Sequence, residues 1–240
     1  ARNMDLSTYR NVAITGYFDA VDGEGDTLTF QLTATPARGS VELSEDGSAR
    51  FVYTPYENKT GKDSFTYVAI DSAGNTSPEA KVTVQIQKPD TKVDYADLEG
   101  HPAHKAALRL AEEGIFVGEY RNGRYFFDPD QPVSRAEFLS LAMAAAGLEP
   151  LEDVSLTGFS DDEAIPTWAK GCVSAALQAG VIQGSKDERG APVFGAEEGV
   201  TRGEATVMLN NLLDVADVPL EVFSAQGSEA HWASQATANL

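Results

Sequence analysis

The sequence predicts two domains, an all-β sandwich over residues 1–87 and an all-α repeat domain over residues 95–240, joined by a polar linker at 88–94. Apolar residues alternate with period two in the first part and recur at helical spacing in the second. The second part also repeats itself every 64 to 67 residues, which indicates one supersecondary unit used more than once. A hydrophobic content of 42% and a charged content of 23% are typical of a globular protein.

Short alternating segments support the sandwich. They occupy residues 27–33, 40–43, 50–53, 64–67 and 81–86. Turn signals separate them, among them Asp22-Gly23 and Ala73-Gly-Asn75. Several short strands at this spacing are typical of a β-sandwich. This part of the chain holds neither Cys nor Trp, which argues against an antibody-type domain.

The order of motifs in the β part is more specific than the alternation alone. Ala20-Val-Asp-Gly-Glu-Gly-Asp-Thr-Leu-Thr-Phe30 is followed by Phe51-Val-Tyr-Thr-Pro55 and then by Asp71-Ser-Ala-Gly-Asn75. This order resembles the bacterial cadherin-like, Ig-like tandem domains of large surface proteins. The resemblance implies a modular spacer or an adhesive unit.

A calcium site is one hypothesis for the acidic turns of this domain. Asp22, Glu24 and Asp26 alternate across a glycine-rich turn, and Asp71 could approach them if the loops cluster at one end. Oxygen ligands at alternate positions suit a hard cation such as Ca²⁺. The alternative is that Asp and Gly are present because they form turns. Calcium is the sole cofactor that the sequence suggests.

Helical periodicity begins after the linker. The predicted helices cover residues 101–113, 134–146, 166–179 and 201–215, with Gly114, Gly147 and Gly180 as stops for the first three. They divide the second part into a first repeat over 95–150, a second over 151–218 and a partial third over 219–240. Each complete repeat therefore reads as helix, loop and helix.

The repeats carry motifs in a fixed order. The first has Tyr95-Ala-Asp97, Phe127-Asp-Pro129 and Ser134-Arg-Ala-Glu137; the second has Phe159-Ser-Asp161, Trp168-Ala169 and Thr201-Arg-Gly-Glu204; the third has Phe223 and His231-Trp-Ala233. These motifs resemble the S-layer homology repeat. The resemblance implies a pseudo-threefold bundle, here with an incomplete third repeat. It also implies non-covalent anchoring to a cell-wall polysaccharide, often one that carries pyruvate ketals.

The Ser/Thr-Arg-x-Glu motifs combine a structural role with a candidate binding role. Ser134 with Glu137, and Thr201 with Glu204, have the spacing of capping boxes. The cap does not require Arg135 or Arg202, and a cation in the first turn opposes the helix dipole. A ligand carboxylate held between backbone N–H groups and a bidentate guanidinium would explain the arginines. The alternative is that each Arg pairs with a nearby acidic side chain.

Four further residues are candidates for contact with sugar. Trp168 and Trp232, near the starts of first helices, could stack on a sugar face or pack in the core between repeats. Asp97 and Asp161 could accept hydrogen bonds from sugar hydroxyls, or could fix a helix entry and its loop. The cap residues complete the candidate glycan site.

Composition and motifs argue against several classes of function. A formal net charge of −19 argues against nucleic acid as a partner, because basic side chains supply most of that affinity. No apolar run is long enough to insert into a membrane. No nucleophile–base pair, phosphate loop or zinc motif indicates catalysis. We therefore expect a non-catalytic bacterial protein of the extracellular cell surface that binds cell-wall polysaccharide, with other surface proteins as further partners. The alternatives are a self-assembling surface-layer module without glycan binding and a calcium-dependent adhesin.

Overall fold

The computed structural model describes residues 1–217 and 233–240. The chain divides into two compact units, Ala1–Pro129 and Asp130–Leu240. This division falls inside the repeat predicted over 95–150, whose first helix belongs to the N-terminal unit and whose second helix belongs to the C-terminal unit. The compact units therefore do not coincide with the domains inferred from the sequence.

The β-domain consists of two sheets. Residues 1–87, all of them described, form the strands β1 (Met4–Tyr9), β2 (Ile14–Tyr17), β3 (Thr29–Ala34), β4 (Gly39–Leu43), β5 (Arg50–Pro55), β6 (Gly61–Ile70) and β7 (Ala80–Gln87). One sheet has the order β1-β7-β6-β3 and the other the order β2-β5-β4. β1 runs parallel to β7, and the other neighbours are antiparallel. The predicted β-rich, Ig-like N-terminal domain is thus confirmed, with β1 and β2 as additions.

Aromatic side chains fill the core of the β-domain. Its buried members are Phe18, Phe51, Tyr53, Phe65, Tyr67, Ala80, Val82, Val84 and Ile86. Val82, Val84 and Ile86 occupy alternate positions of β7, as the period-two pattern predicts. The rings of Phe18 and Tyr67 stack with their centroids 4.2 Å apart. Burial of these rings is the main contribution to the stability of the domain.

The first helix, α1 (His104–Glu112), packs against the end of the β-domain. Their shared core contains Tyr9, Val12, Tyr95, Leu98, Ala107 and Leu108. The Tyr9 hydroxyl donates a hydrogen bond to the Glu112 carboxylate, and the Asp90 N–H donates to the other oxygen of that carboxylate at 2.7 Å. Val93 also packs against this core. Part of the predicted linker is therefore attached to the helix, which places α1 in the same compact unit as the β-domain.

The prediction of all-α repeats needs a correction in the loops, which contain short β-ribbons. β8 (Glu119–Arg121) pairs with β9 (Arg124–Phe126), and β10 (Ser185–Lys186) pairs with β11 (Pro192–Val193). Asn122 and Gly123 join the first pair with φ of 51° and 82°. Positive φ at both central residues is the requirement of a type I′ hairpin turn, which Asn-Gly satisfies at low cost.

The C-terminal unit is mainly helical. Its helices within the described residues are α2 (Arg135–Ala146), α3 (Thr167–Gln178), α4 (Arg202–Leu213) and α5 (Ser234–Asn239), with a short 3-10 turn at Asp162–Ala164. α2 packs against α3 and α4, and α4 packs against α5. The central core includes Leu139, Met143, Val173, Phe194 and Met208. The unit therefore brings the starts of α2 and α4, which carry the two Arg motifs, into one packed structure.

Candidate functional site

Both Arg motifs begin a helix with the predicted cap. Ser134 is the N-cap of α2, and its side chain accepts a hydrogen bond from the N–H of Glu137 at 3.2 Å while Glu137 accepts from the N–H of Ser134 at 3.0 Å. Thr201 and Glu204 form the same box at the start of α4, at 3.3 and 2.8 Å. The capping role of these four residues is confirmed.

The start of α2 is covered by the loop that leads into α4. The N–H of Arg135 donates to the carbonyl of Glu198 at 2.9 Å, and the N–H of Ala136 donates to the carbonyl of Ala196 at 3.1 Å. The N–H of Val200 in turn donates to the carbonyl of Val133 at 2.9 Å. The first-turn N–H groups that an anion would need are therefore occupied by the protein itself.

The guanidinium of Arg135 contacts two side chains of the second repeat. It forms an ion pair with the carboxylate of Glu204 and lies over the Phe194 ring, 5.5 Å from the centroid. Only 11% of the Arg135 side chain is exposed. Burial opposes ionisation of Glu204, but hydrogen bonds from Thr201 and the charge of Arg135 outweigh it and lower the pKa of that carboxyl. The sequence left open the alternative that each Arg pairs with a nearby acidic side chain. Arg135 forms such a pair, with Glu204.

The start of α4 differs from that of α2 although the motif is the same. Arg202 is exposed, and within residues 1–217 and 233–240 its guanidinium makes no ion pair or hydrogen bond. The N–H groups of Arg202 and Gly203 also have no hydrogen-bond partner among those residues. A cation and two backbone donors are thus available at this helix start. This is the arrangement that a carboxylate ligand would need.

The two aspartates hold loops. The Asp97 carboxylate accepts the N–H groups of Phe127 and Asp128, at 3.1 and 2.7 Å. The Asp161 carboxylate accepts those of Phe194 and Gly195, at 3.0 and 2.8 Å. Burial opposes ionisation of Asp97, but these hydrogen bonds lower its pKa overall. Each aspartate therefore fixes the loop before the second helix of its repeat, which leaves fewer oxygen lone pairs for a sugar.

Of the two candidate tryptophans, the structure describes Trp168 only. Trp168, at the start of α3, is 58% exposed, so it does not serve the core packing that was its alternative role. Its indole face is accessible for stacking. Trp232, like Phe223 and His231 of the third repeat, lies outside the described residues.

The acidic turns of the β-domain form hydrogen bonds within and between loops. The Asp22 carboxylate accepts the N–H groups of Glu24 and Asp26, at 2.9 and 3.1 Å. Asp26 also accepts the Ser72 hydroxyl at 2.8 Å, while Asp71 accepts the N–H of Asn75. No group of three or more His, Cys, Asp or Glu placed to hold a metal occurs in the part of the chain that the structure describes.

Sequence reasoning missed the residues that cover α2. Glu198 and Ala196 act through backbone carbonyls, which leave no trace in residue type. Phe194 could have been noticed, because it stands 67 residues after Phe127, the same interval that separates the Arg motifs. Lys170 was also missed; its ammonium lies 2.5 Å from the Asp162 carboxylate and locks the 3-10 turn before α3.

Comparison with protein families gives a match to each part of the chain. Residues 2–88 match the bacterial cadherin-like domain, and residues 94–139 and 158–206 match the S-layer homology domain. The chain contains a bacterial cadherin-like domain followed by S-layer homology repeats. Both resemblances drawn from the motifs are confirmed, in the expected order. The S-layer homology repeats place the protein at the bacterial cell surface, in association with the cell wall.

Curated relatives share half of this chain. An amylopullulanase of Thermoanaerobacterium thermosulfurigenes is 28% identical over 125 residues, which are 50% of this chain and 6% of that protein. The exoglucanase XynX of Acetivibrio thermocellus is 30% identical over 125 residues, 50% of this chain and 11% of that protein. The chain therefore spans a small part of the relatives it matches.

Among solved structures, an endo-fucoidan hydrolase of glycoside hydrolase family 107 is 22% identical over 35% of this chain and 12% of its own length, with a TM-score of 0.30. The SrpA adhesin of Streptococcus sanguinis is 19% identical over 39% of this chain and 57% of its own, with a TM-score of 0.28. No helix within the described ranges is long and apolar enough to span a bilayer.

Proposed function

We propose that the S-layer homology repeats anchor this protein non-covalently to a cell-wall polysaccharide and that the chain itself is not catalytic. The repeats belong to a pseudo-threefold arrangement, and the cadherin-like domain acts as a spacer or adhesive module attached to α1. The observation that carries the proposal is the uncovered start of α4. There the guanidinium of Arg202 and the N–H groups of Arg202 and Gly203 are free of partners among the described residues.

A carboxylate on the polysaccharide, such as that of a pyruvate ketal, suits this helix start. The positive end of the helix dipole and two backbone donors favour an anion, and Arg202 can bind both of its oxygens. Glu204 shows the complementary chemistry at α2, where a carboxylate meets Arg135. Trp168 offers an exposed ring for a sugar face. Arg135 has a structural role in the proposal, because its guanidinium forms an ion pair with Glu204.

Binding to purified wall polysaccharide tests the proposal. We expect the wild-type chain to bind the native polysaccharide and to lose at least about ten-fold in affinity when the pyruvyl groups are removed. Arg202→Ala should give a similar loss, whereas Arg189→Ala, which removes another exposed Arg of the same unit, should bind as the wild type does. Equal binding by wild type and Arg202→Ala would refute the assignment of the site. Equal binding to native and depyruvylated polysaccharide would refute the assignment of the carboxylate.

A further inference from the structure

A cleft opens at the side of the β-domain, between its two sheets and the start of α1. It has a volume of about 220 Å³ and is lined by Leu6, Ser7, Ile14, Thr15, Pro102 and Lys105. All six residues belong to the compact unit Ala1–Pro129. β1 and β2 are edge strands of different sheets, because each pairs with one strand in the described part of the chain. The cleft therefore lies where the sandwich is open at its edge.

The walls of the cleft combine apolar surface with a few polar groups. Leu6 and Ile14 pack partly against the aromatic core of the β-domain, and they also line the cleft. Ser7 and Thr15 supply hydroxyls, which can both donate and accept hydrogen bonds, and Lys105 supplies a cation. Apolar walls with a small number of placed polar groups are typical of sites for small molecules.

Lys105 is the half-buried lysine whose charge is not neutralised within the described residues. Every lysine lies in that part of the chain, and all except Lys105 and Lys170 are exposed. Lys170 forms an ion pair with Asp162. The ammonium of Lys105 instead donates to the neutral hydroxyl of Ser7 at 3.1 Å, and it has no ion pair within residues 1–217 and 233–240. One of its three N–H groups is thus engaged, and its positive charge faces no carboxylate.

The start of α1 adds to the preference of the cleft for an anion. Lys105 is the second residue of this helix, and the first turn contains no acidic side chain and no side-chain cap. A cation in the first turn opposes the helix dipole, which costs a little stability. A bound anion would interact favourably with both the lysine and the dipole.

We propose that this cleft binds a single sugar unit that carries a carboxylate. The sugar carboxylate accepts hydrogen bonds from the ammonium of Lys105. The hydroxyls of the sugar form hydrogen bonds with Ser7 and Thr15, and its C–H face packs against Leu6 and Ile14. The cleft is smaller than the roughly 300–1,000 Å³ of sites for drug-sized ligands, so it holds one sugar unit and not a stretch of polysaccharide.

This site is additional to the one proposed at α4 and shares no residue with it. It gives the β-domain a ligand of its own, which an adhesive module needs and a pure spacer does not. The net charge of −19 would weaken long-range attraction of an acidic sugar, but that effect is screened beyond about 8 Å at physiological ionic strength. Recognition therefore depends on the local charge of Lys105.

An NMR titration of the whole chain with D-glucuronate tests the proposal. The methyl signals of Leu6 and Ile14 and the amide signals of Ser7 and Thr15 should shift and saturate, with a Kd on the order of millimolar for so small a ligand. D-Glucose, which lacks the carboxylate, and acetate, which lacks the sugar, should each bind at least about ten-fold more weakly. No wall polysaccharide is present, so the result does not depend on wall anchoring.

Variants of the lining residues show whether the cleft itself is the site. Lys105→Met keeps an unbranched side chain without the charge and should weaken glucuronate binding about ten-fold or more, whereas Lys105→Arg should retain most of it. Thr15→Val removes one hydroxyl at nearly constant shape and should weaken binding by a smaller factor. Lys62→Met, which removes an exposed lysine of β6, is the matched control and should bind as the wild type does.

Three outcomes would overturn the proposal. They are an absence of saturable shifts at Leu6 and Ile14, equal affinity for glucuronate and for either D-glucose or acetate, and unchanged binding by Lys105→Met. Hydrogen exchange of the α1 amides shows whether Lys105→Met still holds that helix in place. If it does not, Thr15→Val decides the test, because Thr15 is exposed on β2 and its replacement leaves α1 untouched.

Discussion

Arg135, the first residue of α2, forms an ion pair with Glu204, the third residue of α4. The two residues belong to two copies of the same motif, of which one supplies the arginine and the other the glutamate. The two residues are 69 positions apart in the chain. The cap glutamate of one repeat therefore serves two helices. It closes its own capping box and neutralises the arginine of the preceding repeat.

Removal of this arginine should destabilise the C-terminal unit. We expect Arg135→Ala to lower the free energy of unfolding by about 1–3 kcal/mol, because Glu204 loses its cation in a partly buried position. Arg202→Ala is the matched variant and should change it by less than about 0.5 kcal/mol, since that side chain is exposed. Urea denaturation followed by circular dichroism measures both. Equal losses would contradict the different roles assigned to the two arginines.

The attachment of α1 to the β-domain depends on Tyr9. Tyr9→Phe should cost about 1–2 kcal/mol, because the mutation removes a hydrogen bond to the carboxylate of Glu112, whose side chain is 9% exposed. Tyr17→Phe serves as the control, since Tyr17 is 63% exposed. Hydrogen exchange of the α1 amides, measured by mass spectrometry, reports the effect locally. Unchanged protection in Tyr9→Phe would mean that the apolar cluster alone holds the helix.

Acid should weaken the C-terminal unit through Asp162. Its hydrogen bond with the Lys170 ammonium, together with those from Thr157, lowers the pKa of Asp162 to about 2. Because this folded-state pKa lies below the value of about 3.9 expected in the unfolded chain, the stabilisation is present above that value and is lost as the pH falls through 2. The Tm should therefore fall from pH 5 to pH 2, and Asp162→Asn should show a smaller fall. Asp130→Asn, at an exposed position, should follow the wild type.

Calcium should leave the β-domain unchanged. The carboxylates of Asp22 and Asp71 accept hydrogen bonds from backbone N–H groups of their own loops, and the carboxylate of Asp26 accepts one from the Ser72 hydroxyl of another loop. We expect the same Tm with excess calcium and with a chelator. A calcium-dependent rise that grows with the ion concentration would contradict this expectation, because a ligand that binds the folded state raises stability by mass action.

Alternation predicted much of the β-domain but not its first two strands. β2 contains Gly16, a residue that is rare in strand interiors. The structure gives the reason for it: a Cβ at Gly16 would lie 2.3 Å from the ring of Phe51 on the paired strand β5. The missing side chain makes room for a core aromatic ring, and this complementarity is visible only once the strands are paired.

The sequence predicted which residues cap the two helices of the candidate site, but not which side chains pair between the repeats. Local hydrogen bonds depend on residues three apart, so both capping boxes could be predicted from Ser134 and Thr201. The ion pair of Arg135 with Glu204 depends on how α2 and α4 pack, and no local sequence pattern predicts that packing. For the same reason, the sequence could not distinguish Arg135 from Arg202, although one is largely buried and the other exposed.

The parallel pairing of β1 with β7 has a mechanical consequence. β1 lies at the N-terminal end of the β-domain, and β7 leads directly toward α1. A pull between residue 1 and the cell-wall end of the chain would draw these neighbouring strands in opposite directions along their length. The hydrogen bonds from Met4 to Tyr9 would then be loaded together, in shear, instead of opening one after another. The order of the strands thus suits a protein that must resist traction while it is held to a surface.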